Sequence, residues 1–77
     1  MEKYIATHAN SDSGIVGATF FDSEIDADTY IAECARRAYQ DVCDLPDAKI
    51  DVQSRFAQVD TDDLSLQWKV YVLELGR

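Results

Sequence analysis

The 77-residue chain carries fifteen Asp and Glu against seven Lys and Arg, a formal net charge of −8, and is 47% hydrophobic. That length leaves room for a single domain, residues 1–77, with one thin core, and the apolar content is too high for a disordered acidic tail. The charge repels nucleic acid and anionic membrane, which excludes direct DNA or RNA binding as the expected function and makes basic protein surfaces the natural partners.

Residues Glu2 to His8 mix aromatic and β-branched side chains in the pattern of a strand, with Tyr4 and Ala6 alternating against Lys3, Ile5 and Thr7. The run Ala9-Asn10-Ser11-Asp12-Ser13-Gly14 is turn chemistry, and Ile15 to Phe21 then predicts a second strand paired to the first as a hairpin. Gly17 inside it marks a bulge or a close backbone approach.

A helix is predicted next, capped by Ser23 or Asp26, with acidic residues in its first turn where they complement exposed amides and the helix dipole. Ile31, Cys34, Ala35, Ala38, Val42 and Leu45 recur at steps of three and four and form one apolar stripe. Pro46 cannot continue the ladder, so the helix closes near Asp44.

Lys49 to Val59 places Ile50, Val52, Ser54 and Phe56 on one parity and Ala57 and Val59 on the other, the signature of one strand with a bulge near Phe56. After the turn Asp60-Thr61-Asp62-Asp63, the last strand carries Leu64, Leu66, Trp68, Val70 and Val72 on one face and Ser65, Gln67, Lys69 and Tyr71 on the other. Both its faces turn apolar toward Leu75, which suits the sheet interior or an interface. The expected fold is α+β: a four-stranded, mostly antiparallel sheet with one helix on one face, in the order ββαββ. Its uncovered face around Tyr71, Leu73 and Leu75 is a candidate oligomer interface, so the chain is expected as monomer or homodimer.

In that topology the exits of the second and third strands share one end of the sheet. That end would gather Asp22, Glu24, Asp26 and Asp28 with Asp60, Asp62 and Asp63, seven carboxylates with no Lys or Arg between Lys3 and Arg36 or between Arg55 and Lys69. The opposite end would hold Asp12, Asp41, Asp44 and Asp47 near Lys49. Alternate residues of an extended segment lie about 6 to 7 Å apart, a spacing comparable to successive phosphates. The bland alternative is that acidic loops solubilise a small domain and cap its helix.

Chemistry beyond binding finds little footing. Asp22, Glu24, Asp26 and Glu33 fall at calcium-loop spacing, but Ala27 stands where the loop requires Gly, so no metal and no cofactor are expected. His8 is the only histidine, beside a turn, and no nucleophile or phosphate loop accompanies it, so catalysis is not expected and no catalytic residue is assigned. Cys34 and Cys43 lie about 13 Å apart along a helix, too far for a disulfide, which reads as free thiols in a reducing compartment. No charged segment leads into an apolar run at the start, and no apolar stretch reaches the roughly 18 residues of a membrane span. The cytoplasm is the expected location, without a signal peptide or membrane anchor.

In size, acidity, single-helix-on-sheet layout and its acidic runs Asp22-Ser23-Glu24-Ile25-Asp26-Ala27-Asp28 and Asp60-Thr61-Asp62-Asp63, the chain resembles the small phage-encoded anti-CRISPR proteins that act on type I surveillance complexes. The resemblance implies an inhibitor in the cytoplasm of an infected or lysogenic bacterial host. It implies too that the seven carboxylates act as phosphate surrogates on the basic surface of a surveillance complex or other DNA-binding protein, keeping duplex out. The rival expectation is a homo-oligomeric interaction module whose charge serves solubility alone.

Overall fold

The computed structural model describes residues 2–11 and 14–74. Its elements are β1 (Glu2–Asn10), β2 (Gly14–Phe21), α1 (Glu24–Val42), β3 (Lys49–Gln53), β4 (Phe56–Asp60) and β5 (Ser65–Glu74). The strands form one sheet in the order β2-β1-β5-β4-β3, and every neighbouring pair is antiparallel. The sheet therefore has five strands where four were expected, and the chain order is ββαβββ.

The difference lies in one turn. The parity slip between Val52 and Ala57 is a two-residue hairpin, since Gln53 pairs with Phe56 and leaves Ser54 and Arg55 as the loop. Arg55 sits in the left-handed region at φ 64°, which costs a non-glycine residue about 1 kcal/mol. Four contacts hold the turn there. The Arg55 N–H and the Ser54 hydroxyl both donate to the Asp28 carboxylate, at 2.9 and 3.2 Å. The Arg55 carbonyl accepts from Val70 N–H at 3.0 Å, and the guanidinium reaches Glu24, with Nε 2.6 Å from Oε2.

The helix begins at Ser23, whose backbone is extended and whose hydroxyl accepts from Asp26 N–H at 3.4 Å. Ala27, Ile31 and Ala35 are its buried residues, one turn apart, and Cys34, Ala38 and Val42 flank them half-buried. Leu45, expected to close the stripe, lies past the helix and is 45% exposed.

The sheet alternates as the sequence implies. Leu66, Trp68, Val70 and Val72 share the helix side with Tyr4, Ala6, His8, Val59 and Ala57, because residues directly opposite in register point the same way. The buried set is Ala6, Ala27, Ile31, Ala35, Ala57, Val59, Trp68 and Val70, half of it alanine. Small side chains let the helix lie close to the strands, and only Ile31 and Val59 are large and fully enclosed. The helix crosses β4, β1, β3 and β5 and touches β2 least.

A core with so few large buried groups makes each one count. Ile31→Ala is expected to cost about 3 kcal/mol, a large share of the roughly 5 kcal/mol a domain this small commands. Asp28→Ala should cost about 1 kcal/mol by releasing the Ser54–Arg55 turn. Urea midpoints measure both, and an Asp28→Ala variant as stable as the parent would show that the turn holds itself.

Candidate functional site

The hairpin reverses the direction of the chain before the last acidic loop, and this separates the seven carboxylates. Strand β2 runs parallel to β5 and opposite to β4, so the loop after Phe21 and the loop after Asp60 leave opposite ends of the sheet. Phe21 shares a rung with Tyr4 and Val72, whereas Asp60 pairs with Ser65. At ~3.3 Å per residue along β5 the two loops start roughly 23 Å apart. The expected single tip of Asp22, Glu24, Asp26, Asp28, Asp60, Asp62 and Asp63 is thus corrected to two separate ends.

At the first end most of the charge is occupied within the molecule. Lys3 pairs with Asp22, because the start of β1 and the end of β2 are neighbours. Arg55 pairs with Glu24, whose hydrogen bond holds the guanidinium above its ordinary pKa. Asp28 is taken by the hairpin turn, so that of Asp22, Glu24, Asp26 and Asp28 it is Asp26, in the first helical turn, that has no ion-pair or side-chain hydrogen-bond partner among the described residues. Because the helix begins at Glu24, Asp22, Glu24, Asp26 and Glu33 form no calcium-type loop.

The second end is different. Asp60, Asp62 and Asp63 in the β4–β5 connection meet the α1–β3 connection that carries Asp44 and Asp47. The Asp62 N–H donates to the Asp47 carboxylate, which brings that carboxylate beside the Asp62 side chain. Interaction of the Asp62 carboxyl with that of Asp47, by hydrogen bonding first and repulsion second, pushes it above the ordinary Asp value of 3.8. Thr61 frames the loop, its N–H donating to the Leu64 carbonyl at 2.8 Å and its hydroxyl accepting from Asp63 N–H at 3.3 Å and Leu64 N–H at 3.2 Å.

Asp60 has the contrary setting. It accepts from the Ser65 hydroxyl at 2.6 Å and the Gln58 amide at 2.7 Å, which hold its carboxyl below the ordinary value. Lys49 is the cation that acts on both Asp60 and Asp62, yet neither ion pair among the described residues lies at this end. The last turn of α1 holds no basic residue, so the negative end of the helix dipole adds to the same field. Asp47 joins these acids against the expectation that it lies at the other end; the parity slip before Ala57 was the signal that could have placed it here. Asp12, expected beside Asp47, falls outside the described residues.

On the uncovered sheet face, Tyr71 is 50% and Leu73 39% exposed, beside Ile5 and the exposed Phe20. Leu75, the third residue expected there, lies outside the described residues. On the helix face His8 is half-buried within β1, and not at a strand end as expected. Its ring stacks on Trp68 with centroids 4.7 Å apart and planes 7° from parallel. His8 Nε2 is enclosed without a hydrogen-bond partner, in a cleft of about 260 Å³ shared with Tyr30, Cys34, Arg37 and Asp41. Both cysteines are free, Cys34 half-buried and Cys43 exposed. Among the described residues, no three His, Cys, Asp or Glu side chains gather as a metal site, and no helix is long and apolar enough to cross a membrane.

Comparison with family models, curated proteins and solved structures gives no match.

The opposed shifts at Asp62 and Asp60 give opposite pH signatures. A carboxyl raised on folding favours the native state only below its unfolded pKa and loses that contribution as pH rises through its folded value. Asp62→Asn is therefore expected to raise the melting temperature at pH 7, with the gain vanishing below about pH 3.8. A carboxyl lowered on folding stabilises above its unfolded pKa and loses the contribution as pH falls through its folded value, so Asp60→Asn should lower the melting temperature at pH 7 and cease to matter in strong acid. Thermal melts from about pH 2.5 to 8 test the pair, and shifts of the same sign at neutral pH would contradict this assignment.

Proposed function

We propose that the protein acts by binding and not by catalysis, presenting the acidic end built from Asp44, Asp47, Asp60, Asp62 and Asp63 to a basic surface of another macromolecule. The observation that carries this reading is the Asp47–Asp62 contact. The Asp62 N–H draws the Asp47 carboxylate onto the acidic β4–β5 connection, near the negative end of a helix and without an ion-pair partner among the described residues, and repulsion there raises the Asp62 carboxyl, where Asn would serve stability better. A cationic partner relieves that repulsion on binding, so the field steers association and favours the complex.

In its specific form the partner is a bacterial nucleic-acid-handling complex, and the protein is an anti-CRISPR-like inhibitor that keeps DNA from a type I surveillance complex. Size, acidity and the single helix on a sheet support that choice. The row formed by Asp22, Glu24, Asp26 and Asp28 takes no part in it, because three of those four are committed to Lys3, Arg55 and Ser54. The second reading is a homo-oligomeric module whose charge serves solubility, favoured by the exposed Tyr71 and Leu73 on the uncovered face.

A pull-down of a type I surveillance complex from bacterial lysate, followed by competition with duplex DNA, tests the first reading. Retention should fall as salt rises, be displaced by duplex, and weaken about three- to tenfold for each of Asp62→Asn and Asp63→Asn. The Asp62→Asn variant should bind less while melting higher. Retention unaffected by salt and by both substitutions would sink the electrostatic reading, and no retention at all would sink the anti-CRISPR form.

A further inference from the structure

We propose that β2 is an assembly edge, on which two copies of this chain pair β2 with β2 antiparallel about a two-fold axis at Thr19, joining two sheets into one. The pairing centre at Thr19 lies toward the opposite end of the sheet from Asp60, on the edge strand farthest from β4 and β3.

The sheet has two edges, β2 and β3, and they are built in opposite ways. Strand β3 is five residues long and carries Lys49 and Asp51, and the helix packs against it with Ile50 half-buried. Short length, charge and cover are the means by which sheets prevent unwanted pairing. Strand β2 has eight residues, Gly-Ile-Val-Gly-Ala-Thr-Phe-Phe, with no charge and no proline, and every residue from Gly14 to Phe20 is exposed. In a chain of net charge −8, an unguarded strand with Ile15 at 72% and Phe20 at 64% exposure is a surface that expects cover.

Gly17 indicates what covers it. Its backbone does not lie in the left-handed region, and a Cβ built there would meet nothing within 4 Å. Nothing inside the chain therefore requires glycine at this strand position, which weakens the strand unless another backbone or side chain approaches it. The bulge opposite His8 and Ala9 ends at Gly17, and Gly17 to Phe21 is regular. Antiparallel pairing centred on Thr19 sets Gly17 against Phe21 of the second copy and Ala18 against its Phe20. Each small residue receives a large one, and each opposed pair lies on one face of the sheet, Phe20 and Ala18 on the uncovered side and Phe21 and Gly17 on the helix side.

A second copy is the occupant that this pattern favours. A basic partner has the acidic end to bind, whereas an uncharged strand with small and large residues in mirrored order complements itself. The nearest acid, Asp22, is engaged by Lys3. Counting both copies, pairing the strands and covering their rings removes on the order of 1,000 Å² from water, the threshold for a specific interface. Dissociation is expected in roughly the micromolar range. Because the copies repel through their net charge, added salt tightens this dimer, the reverse of its effect on binding through the acidic end.

Sedimentation equilibrium on the full chain at concentrations up to about 200 µM measures the association. The expected result is a monomer–dimer equilibrium that strengthens with sodium chloride, weakens at least tenfold in Ala18→Lys, and is unchanged in Leu73→Lys. Circular dichroism confirms that each variant folds. Should Ala18→Lys fail to fold, Thr19→Cys combined with Cys34→Ser and Cys43→Ser decides the matter. Opposed α-carbons about 4.5 to 5.5 Å apart allow the two introduced thiols, one from each copy, to lose two hydrogens to dissolved oxygen and form a disulfide. A disulfide-linked dimer supports the proposal. A wild-type chain that stays monomeric at about 200 µM with no cross-link, or a dimer lost in Leu73→Lys and kept in Ala18→Lys, overturns it.

Discussion

The carboxylate of Asp28 fixes more of this molecule than any apolar contact does. It receives the Arg55 N–H and the Ser54 hydroxyl, and so holds a non-glycine residue in a left-handed turn at a place where the chain could otherwise have run on as one bulged strand. With the turn in place, β4 doubles back and β5 is directed into the centre of the sheet between β1 and β4. The destination of every later side chain follows, including which end of the sheet receives Asp62 and Asp63. A single acid in the helix thus sets the electrostatic anatomy of the domain from a distance in sequence.

That anatomy is asymmetric. One end spends its carboxylates on structure, as cap, ion pair and turn anchor, and carries both of the ion pairs seen among the described residues. The other end leaves like charges together and adds the negative end of α1 to them. Exposed ion pairs contribute little individually, so the contrast matters less for stability than for the field. Both ends are acidic, since Glu2 and Glu74 also face each other at the first; they differ in that the first carries both ion pairs while the second gathers its acids beside Lys49 without one.

Much of this was legible in the sequence, and the parts that were not share one cause. The alternation of Leu66, Trp68, Val70 and Val72 with Gln67, Lys69 and Tyr71 identifies the faces of β5 correctly, because burial on one side imposes a period of two. The stripe from Ile31 to Val42 likewise identifies the covered side of α1, though Ala27 is too small to register in it. The β3–β4 hairpin escapes because Ser54-Arg55 contains neither Gly, Asn nor Pro, and the energy that holds it comes from Asp28, 27 residues away. Local propensity cannot report a turn stabilised by a tertiary contact. The error then propagates: a strand read as continuous reverses the direction of β4, and Asp60, Asp62 and Asp63 go to the wrong end. The functional site is therefore less legible than the fold, since it depends on the relative direction of strands and not on their existence.

The pairing of β1 with β5 along nearly their whole length has a consequence for how the domain is made. Strand β1 is synthesised before β5, its partner in the middle of the sheet, and loop closure of the span between them comes before any reward. Until then the hairpin of β1 and β2 has no sheet to join, and its uncharged outer strand stands open in a chain that cannot yet fold around Trp68. Such an uncharged open edge is the kind of surface on which incompletely folded chains pair wrongly, so the arrival of β5 ends the interval in which the hairpin stands alone.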